Sequence, residues 1–99
     1  MKTLQEIRED LAEIKFYYAN EKEIIAAGKV TGLIRLAETV KAYNEAVSNA
    51  KGQLYMLYVA LYVHNNSQMV VADDWDCSVD YVKRVNRQLL QYLQGALKI

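Results

Sequence analysis

Apolar residues recur every three or four positions along most of the chain, which is the spacing of one face of an α-helix. The first such stretch opens at Thr3, where Glu6 completes a capping box and predicts the start of a helix. Beyond this start the apolar positions form a heptad-like seam. The seam consists of Leu4, Ile7, Leu11, Ile14, Tyr18 and, past an interruption at Glu21, Ile25.

Two interpretations of this seam are open. It is the buried face of an amphipathic helix that docks on the rest of the domain, or it is the interface of a coiled-coil homodimer. The repeat covers only roughly three heptads, which is short for a coiled coil. The residues of the dimer interpretation are Leu4, Ile7, Leu11, Ile14 and Tyr18.

Two further helices are predicted between the first helix and the C-terminal third of the chain. The first follows a break between Gly28 and Gly32, runs to about Asn49 and is expected to pack antiparallel on the first helix as a hairpin. Its inward face is Leu33, Leu36, Ala37, Val40, Tyr43 and Val47. The second runs from Gln53 to His64 and is apolar nearly all round, so we expect it at the centre of the fold.

The tyrosines of the Gln53–His64 helix have two readings. They could stack nucleic-acid bases, but this helix has no Lys or Arg to line a basic groove. Packing of the rings in the core, with the hydroxyls reaching outward, fits the composition better. His64 lies at the predicted end of the helix and receives no catalytic role.

The next segment has two serines at helix-start positions. Ser67 follows the turn signal Asn65-Asn66 and caps a predicted short helix from Gln68 to about Trp75. Ser78 caps another helix, whose inward positions include Leu89 and Leu93. Two helices joined by a tight turn form the pattern of a helix-turn-helix.

The spacing of small and β-branched residues supports this motif. Ala72 supplies the small residue that lets the second helix cross close over the first, and Val82 follows ten residues later. Asp76 occupies the turn position that glycine usually takes, where a left-handed backbone is needed. The predicted core of the motif is Val71, Ala72, Trp75, Cys77, Val82 and Val85.

Composition removes several classes of function. The chain has no proline, one cysteine (Cys77) and one histidine, so a disulfide, a multi-thiolate zinc site and a histidine-based catalytic triad lack their usual residues. We therefore expect no enzyme and no cofactor or metal. We also expect no membrane association and, because the N-terminus lacks an export signal, a cytoplasmic location.

A family resemblance appears in the run Ser67-Gln68-Met69-Val70-Val71-Ala72-Asp73-Asp74-Trp75-Asp76-Cys77-Ser78-Val79-Asp80-Tyr81-Val82-Lys83-Arg84. It resembles the promoter-reading region four of bacterial sigma factors, in which a helix rich in Leu and Tyr also precedes the motif. The whole chain is similar to small sigma-like regulators of phages and prophages of Gram-positive bacteria. This resemblance implies a transcription regulator that binds double-stranded DNA, with RNA polymerase as a further partner.

The resemblance also implies the DNA-facing residues, which are Val79, Asp80, Lys83, Arg84 and Arg87. Periodicity alone places Asp80, Lys83, Arg84, Arg87 and Gln91 opposite the inward face of that helix. In the major groove, Arg84 or Lys83 is expected to read guanine. Arg87, Ser67 and Gln68 are expected to contact phosphate. Ser78 is the last residue of the predicted set.

The expected architecture is an all-α fold. Residues 1–51 form an N-terminal helical hairpin and residues 52–99 a three-helix, sigma region-four-like helix-turn-helix bundle, within one compact unit. Twelve basic residues balance twelve acidic ones, and four of the aspartates (Asp73, Asp74, Asp76, Asp80) lie in the motif. A helix-turn-helix that has lost DNA binding and contacts a protein is therefore the alternative.

Overall fold

The computed structural model describes residues 1–27, 31–50 and 52–97, and every regular element in these ranges is helical, with no β-strand. The predicted all-α fold class is confirmed. The helices are α1 (Leu4–Ala19), α2 (Glu21–Ala27), α3 (Thr31–Ser48), α4 (Gln53–Tyr58), α5 (Gln68–Asp74) and α6 (Val79–Ala96), with a π-helical turn (Val59–Val63) directly after α4.

The start of α1 has the predicted capping box. The backbone N–H of Glu6 donates to Oγ1 of Thr3 over 3.1 Å, and the backbone N–H of Thr3 donates to Oε1 of Glu6 over 2.9 Å. These bonds hold the pKa of the Glu6 carboxyl below its ordinary value, because the ionised form accepts them better. The end of the chain that would otherwise fray is thereby fixed.

The first helix is shorter than predicted. α1 ends at Ala19, where Asn20 leaves the helical conformation and its side-chain amide donates to the Phe16 carbonyl over 3.0 Å. An asparagine that satisfies the last carbonyls competes with helix continuation. α2 then starts at Glu21, and Ile25 is 66% exposed instead of extending the seam.

The second predicted helix corresponds to α3. Val40, Tyr43 and Val47 are buried as expected, whereas Ala37 is exposed. α1 and α3 contact each other, and their inward residues share the first core cluster given below.

The glycines occupy different positions relative to the helices. Gly52 precedes α4 with a φ of 67°, a left-handed conformation that suits glycine. Gly32 instead lies inside α3, and Gly95 lies inside the last turn of α6. Gly28, the other predicted break, lies outside the described residues.

The third predicted helix changes its winding part-way. α4 passes at Val59 into the π turn, whose wider spacing shows in the bond from the His64 N–H to the Val59 carbonyl. The turn closes at Asn65, which has a φ of 59°. The helix is not buried all round as expected, since Tyr55 and Met56 are about half exposed.

The core has two clusters of buried side chains. The first joins α1, α3 and the C-terminal part of α6 around Tyr58 and consists of Ile7, Leu11, Ile14, Val40, Tyr43, Val47, Tyr58, Leu89, Leu90 and Leu93. Three seam residues of α1 thus lie in the chain's own core, with Leu4 and Tyr18 packed against it. A coiled-coil dimer along the seam would require these side chains to leave that core.

The second cluster joins α4, the π turn, α5 and the N-terminal part of α6. It consists of Leu57, Leu61, Val71, Ala72, Val82 and Val85. α6 contributes buried side chains to both clusters. The opposite face of the same helix is exposed. No helix in the described ranges is long and apolar enough to cross a membrane.

Candidate nucleic-acid interface

Serine caps begin both helices of the predicted motif. The Val70 N–H donates to Oγ of Ser67 over 3.2 Å, and the Tyr81 N–H donates to Oγ of Ser78 over 3.1 Å. Both serines have the extended backbone of an N-cap residue. The two predicted helix starts are therefore confirmed to the residue.

The turn between α5 and α6 is closed by a Schellman motif. The Cys77 N–H donates to the Ala72 carbonyl over 2.9 Å, and the Asp76 N–H donates to the Asp73 carbonyl over 3.2 Å. Asp76 supplies the left-handed residue that this motif needs, with a φ of 53°. The aspartate thus adopts the backbone that its position in the sequence predicts.

The inward faces of α5 and α6 meet in the second core cluster. Val71 and Ala72 from α5 pack with Val82 and Val85 from α6, and all are nearly inaccessible to solvent. Trp75 and Cys77, which the sequence places in the core of the motif, are only half-buried at its edge. The sequence correctly places Trp75 and Cys77 against the core of the motif but overestimates how deeply they are buried.

The outward face of α6 exposes a stripe of charged side chains. Asp80, Lys83, Arg84 and Arg87 follow the i, i+3, i+4, i+7 spacing of one helix face, and all are exposed. Gln91 continues the stripe and is also exposed. Val79 differs, because it packs against the second core cluster and is half-buried.

The cations of this stripe are not neutralised by ion pairs. Within residues 1–27, 31–50 and 52–97 the single salt bridge joins Lys2 to Asp10, near the start of the chain and not on α6. Lys83, Arg84 and Arg87 therefore present their charge to solvent, where an anion can approach them.

Three predicted DNA contacts remain. Ser78 is exposed as the N-cap of α6, and the other two lie at the start of α5. Ser67 is exposed and Gln68 is half-buried at the start of α5. No hydrogen bond in the part of the chain that the structure describes joins either residue to the α6 stripe. The structure thus places the α6 residues on one face of a single helix, with Ser67 and Gln68 at the start of α5.

Two tyrosine hydroxyls, whose partners the sequence does not specify, hold α6 in place. The Tyr81 hydroxyl donates to Oε1 of Gln53 over 2.8 Å, and the Tyr62 hydroxyl donates to Oδ1 of Asn86 over 2.6 Å. Burial raises the pKa of Tyr62, although the bond to Asn86 acts in the opposite direction. The signal in the sequence was Asn86 itself, a polar residue beside the apolar face of α6.

No chemical centre accompanies the stripe. Among the described residues, no three His, Cys, Asp or Glu side chains are grouped so that they could hold a metal ion. Comparisons of the chain with protein-family models, curated proteins and solved structures found no match.

Proposed function

We propose that the chain is a sequence-specific DNA-binding regulator that inserts α6 into the major groove. The observation that supports this most is the division of α6 into two faces. Val82, Val85 and Leu89 are at most 2% exposed, while the opposite face carries three cations that form no ion pair with any described residue. A helix fixed along one side and charged along the other is the form in which a recognition helix meets DNA.

The first turns of α6 are the part that meets base edges. The major groove, about 12 Å wide, admits an α-helix, and recognition helices contact bases chiefly from their N-terminal turns. Lys83 and Arg84 lie one turn after the Ser78 cap, where a bidentate contact to guanine is in reach. Arg87 lies a further turn along and is the candidate for a phosphate contact.

The charge of the motif limits how strongly it binds DNA without regard to sequence. Four aspartates outnumber the three cations Lys83, Arg84 and Arg87 between Ser67 and Leu97. Each neutralised phosphate adds about −0.9 to the slope of log K against log salt. Three cations on phosphate predict a slope of only about −3. Because so few counterions are released, sequence-independent binding is weak and should be detectable mainly at low salt.

The test is a binding selection from random duplexes at low salt, followed by titration of an enriched duplex. The parent protein should enrich a shared sequence, and the variant Arg84→Glu with Arg87→Glu should lose it while its helical circular dichroism is unchanged. The matched control is Arg35→Glu with Lys41→Glu, which reverses two exposed cations on α3. Retention of binding by the α6 variant, or its equal loss in the control, would contradict the proposal.

A second candidate function is a protein-interaction module with a purely structural helix-turn-helix. The excess of aspartate in the motif favours it, because carboxylates near a duplex repel phosphate. Absence of any enriched duplex at low salt would support this candidate. RNA polymerase, which the sequence resemblance suggests as a partner, would then be one protein to test by pull-down.

A further inference from the structure

The outward face of α5 carries apolar and acidic residues that have no part in the DNA contact. Met69 is 72% exposed and Val70 is 52% exposed, although both are large apolar side chains. Asp73 and Asp74 follow one turn later on the same face and are also exposed. This surface, Met69-Val70-Asp73-Asp74, is called the α5 face below.

The basic part of the α6 stripe is complementary in charge to the acidic pair of the α5 face. One turn into α6, Lys83 and Arg84 form an adjacent basic pair, as Asp73 and Asp74 form an adjacent acidic pair on α5. The two pairs are ten residues apart in the sequence. Val79 lies four residues before Lys83, and Met69 lies four residues before Asp73. Aligned in parallel, the two helices oppose the acidic pair to the basic pair, while Met69 and Val70 lie opposite the half-buried Val79 and the exposed Asp80.

From this complementarity we propose that a second copy of the chain docks on this surface, with the α5 face of each copy on the α6 stripe of the other. A two-fold axis that bisects the directions of α5 and α6 makes each α5 parallel to the partner's α6. One surface then supplies both halves of a closed, isologous contact. Within a single chain these charges form no salt bridge among the described residues, so they remain available to the second copy.

A second copy fits this surface better than a nucleic acid does. Asp73 and Asp74 repel phosphate, and Met69 and Val70 favour a partner that buries apolar area. The chain has zero formal net charge, so two copies meet without overall repulsion. Two short helices per copy are a small contact, and we expect a weak dimer with a dissociation constant of about 10–1,000 µM.

The dimer has a regulatory consequence, and this part rests on the proposed function. Self-association covers Lys83 and Arg84, which are also the proposed base-reading residues. The dimer and DNA therefore compete for the same side chains, and a rise in protein concentration lowers the fraction of chains that can bind DNA.

Sedimentation equilibrium of the full chain without DNA tests the dimer directly. We expect the mass to rise toward twice the monomer value as concentration approaches about 1 mM, and to fall back at about 1 M salt, where the Debye length is about 3 Å. Asp73→Lys with Asp74→Lys should stay monomeric, and so should Lys83→Glu with Arg84→Glu. The chain that combines all four substitutions restores the opposite charges and should dimerise again.

The matched control is Glu9→Lys with Glu13→Lys, which makes the same change in net charge at exposed positions of α1 and should dimerise like the parent. A parent that is monomeric at every concentration would overturn the proposal, as would a four-substitution chain that stays monomeric although folded. In DNA titrations the parent curve should flatten as the protein concentration approaches the dimer dissociation constant, whereas Asp73→Lys with Asp74→Lys should follow a single-site curve throughout. If no variant binds DNA, the proposed function fails while the sedimentation result still decides the dimer.

Discussion

The hydroxyl of Tyr43 donates a 2.6 Å hydrogen bond to Oδ2 of Asp10, the oxygen that also meets Nζ of Lys2 at 2.7 Å. Tyr43 is fully buried in α3, and Asp10 lies in α1 with a side chain that is 17% exposed. The contact joins residues 33 positions apart. It therefore fastens the N-terminal segment and α1 to α3 at the edge of the first core cluster.

We expect Tyr43→Phe to destabilise the fold. The ring remains in place, but the Asp10 carboxylate loses the hydrogen bond from the Tyr43 hydroxyl. A hydrogen bond to a charged group is worth about 1.5–3 kcal/mol. Urea unfolding followed by circular dichroism measures the change. The matched control is Tyr55→Phe, on a half-exposed ring, and it should change the free energy of unfolding by less than about 0.5 kcal/mol. Equal stability of Tyr43→Phe and the parent would show that the contact adds nothing.

Core truncations should rank by burial, with Leu89→Ala costing more than Trp75→Ala. Leu89 is 0% exposed in the first core cluster, so its truncation should cost about 2–5 kcal/mol. Trp75 is half-buried at the edge of the second core cluster, and its truncation should cost about 2–3 kcal/mol. The same unfolding measurement compares the two. The reverse order would mean that Trp75 is packed more deeply than the structure has it.

We expect Asp76→Gly to stabilise the fold by up to about 1 kcal/mol. At a φ of 53° glycine avoids the steric cost of a side chain, and this gain exceeds the entropy that glycine adds to the unfolded chain. The control Asp74→Gly, at the last residue of α5, should change the free energy of unfolding by less than about 0.5 kcal/mol, because aspartate is itself a poor helix residue. Thermal unfolding of both variants decides, and destabilisation by Asp76→Gly would contradict the turn geometry.

Local signals explain which parts of the fold were predictable. Thr3, Ser67 and Ser78 mark helix starts because a side-chain oxygen two or three residues before free N–H groups satisfies them wherever the helix packs. The two faces of α6 were equally readable, since its apolar residues recur at helical spacing without a gap. The stripe of candidate DNA contacts, apart from Val79, follows from that spacing alone.

Tertiary packing explains what could not be read. The Gln53–His64 stretch is apolar on all sides, so its sequence does not say which side is exposed, and nothing in it marks the change to π winding at Val59. The end of α1 depends on the Asn20 side-chain amide. The heptad-like pattern continues past Asn20 and therefore does not indicate that the helix ends there. Leu90 is buried because α6 also packs on α1 and α3, a contact that no local pattern specifies.

Buried tyrosines give the fold an alkaline limit. Burial raises the pKa of Tyr43 above its ordinary value of 10.0, and the bond to Asp10 raises it further. Burial also raises the pKa of Tyr58, with a smaller contribution from Tyr18. A folded-state pKa above the unfolded value means that the folded chain holds the proton more tightly. The resulting stability is complete below pH 10.0 and is lost as pH rises from there through the folded pKa values.

We therefore expect the free energy of unfolding to fall above pH 10.0 by about 1.4 kcal/mol per pH unit for each of these two tyrosines. Tyrosinate absorbance and helical circular dichroism, recorded together against pH, measure the effect. Ionisation of Tyr43 and Tyr58 should coincide with loss of helix, and the variant Tyr43→Phe with Tyr58→Phe should flatten the alkaline decline while lowering stability at neutral pH. If all eight tyrosines ionise while the helical signal is intact, these two rings are not buried in solution as the structure has them.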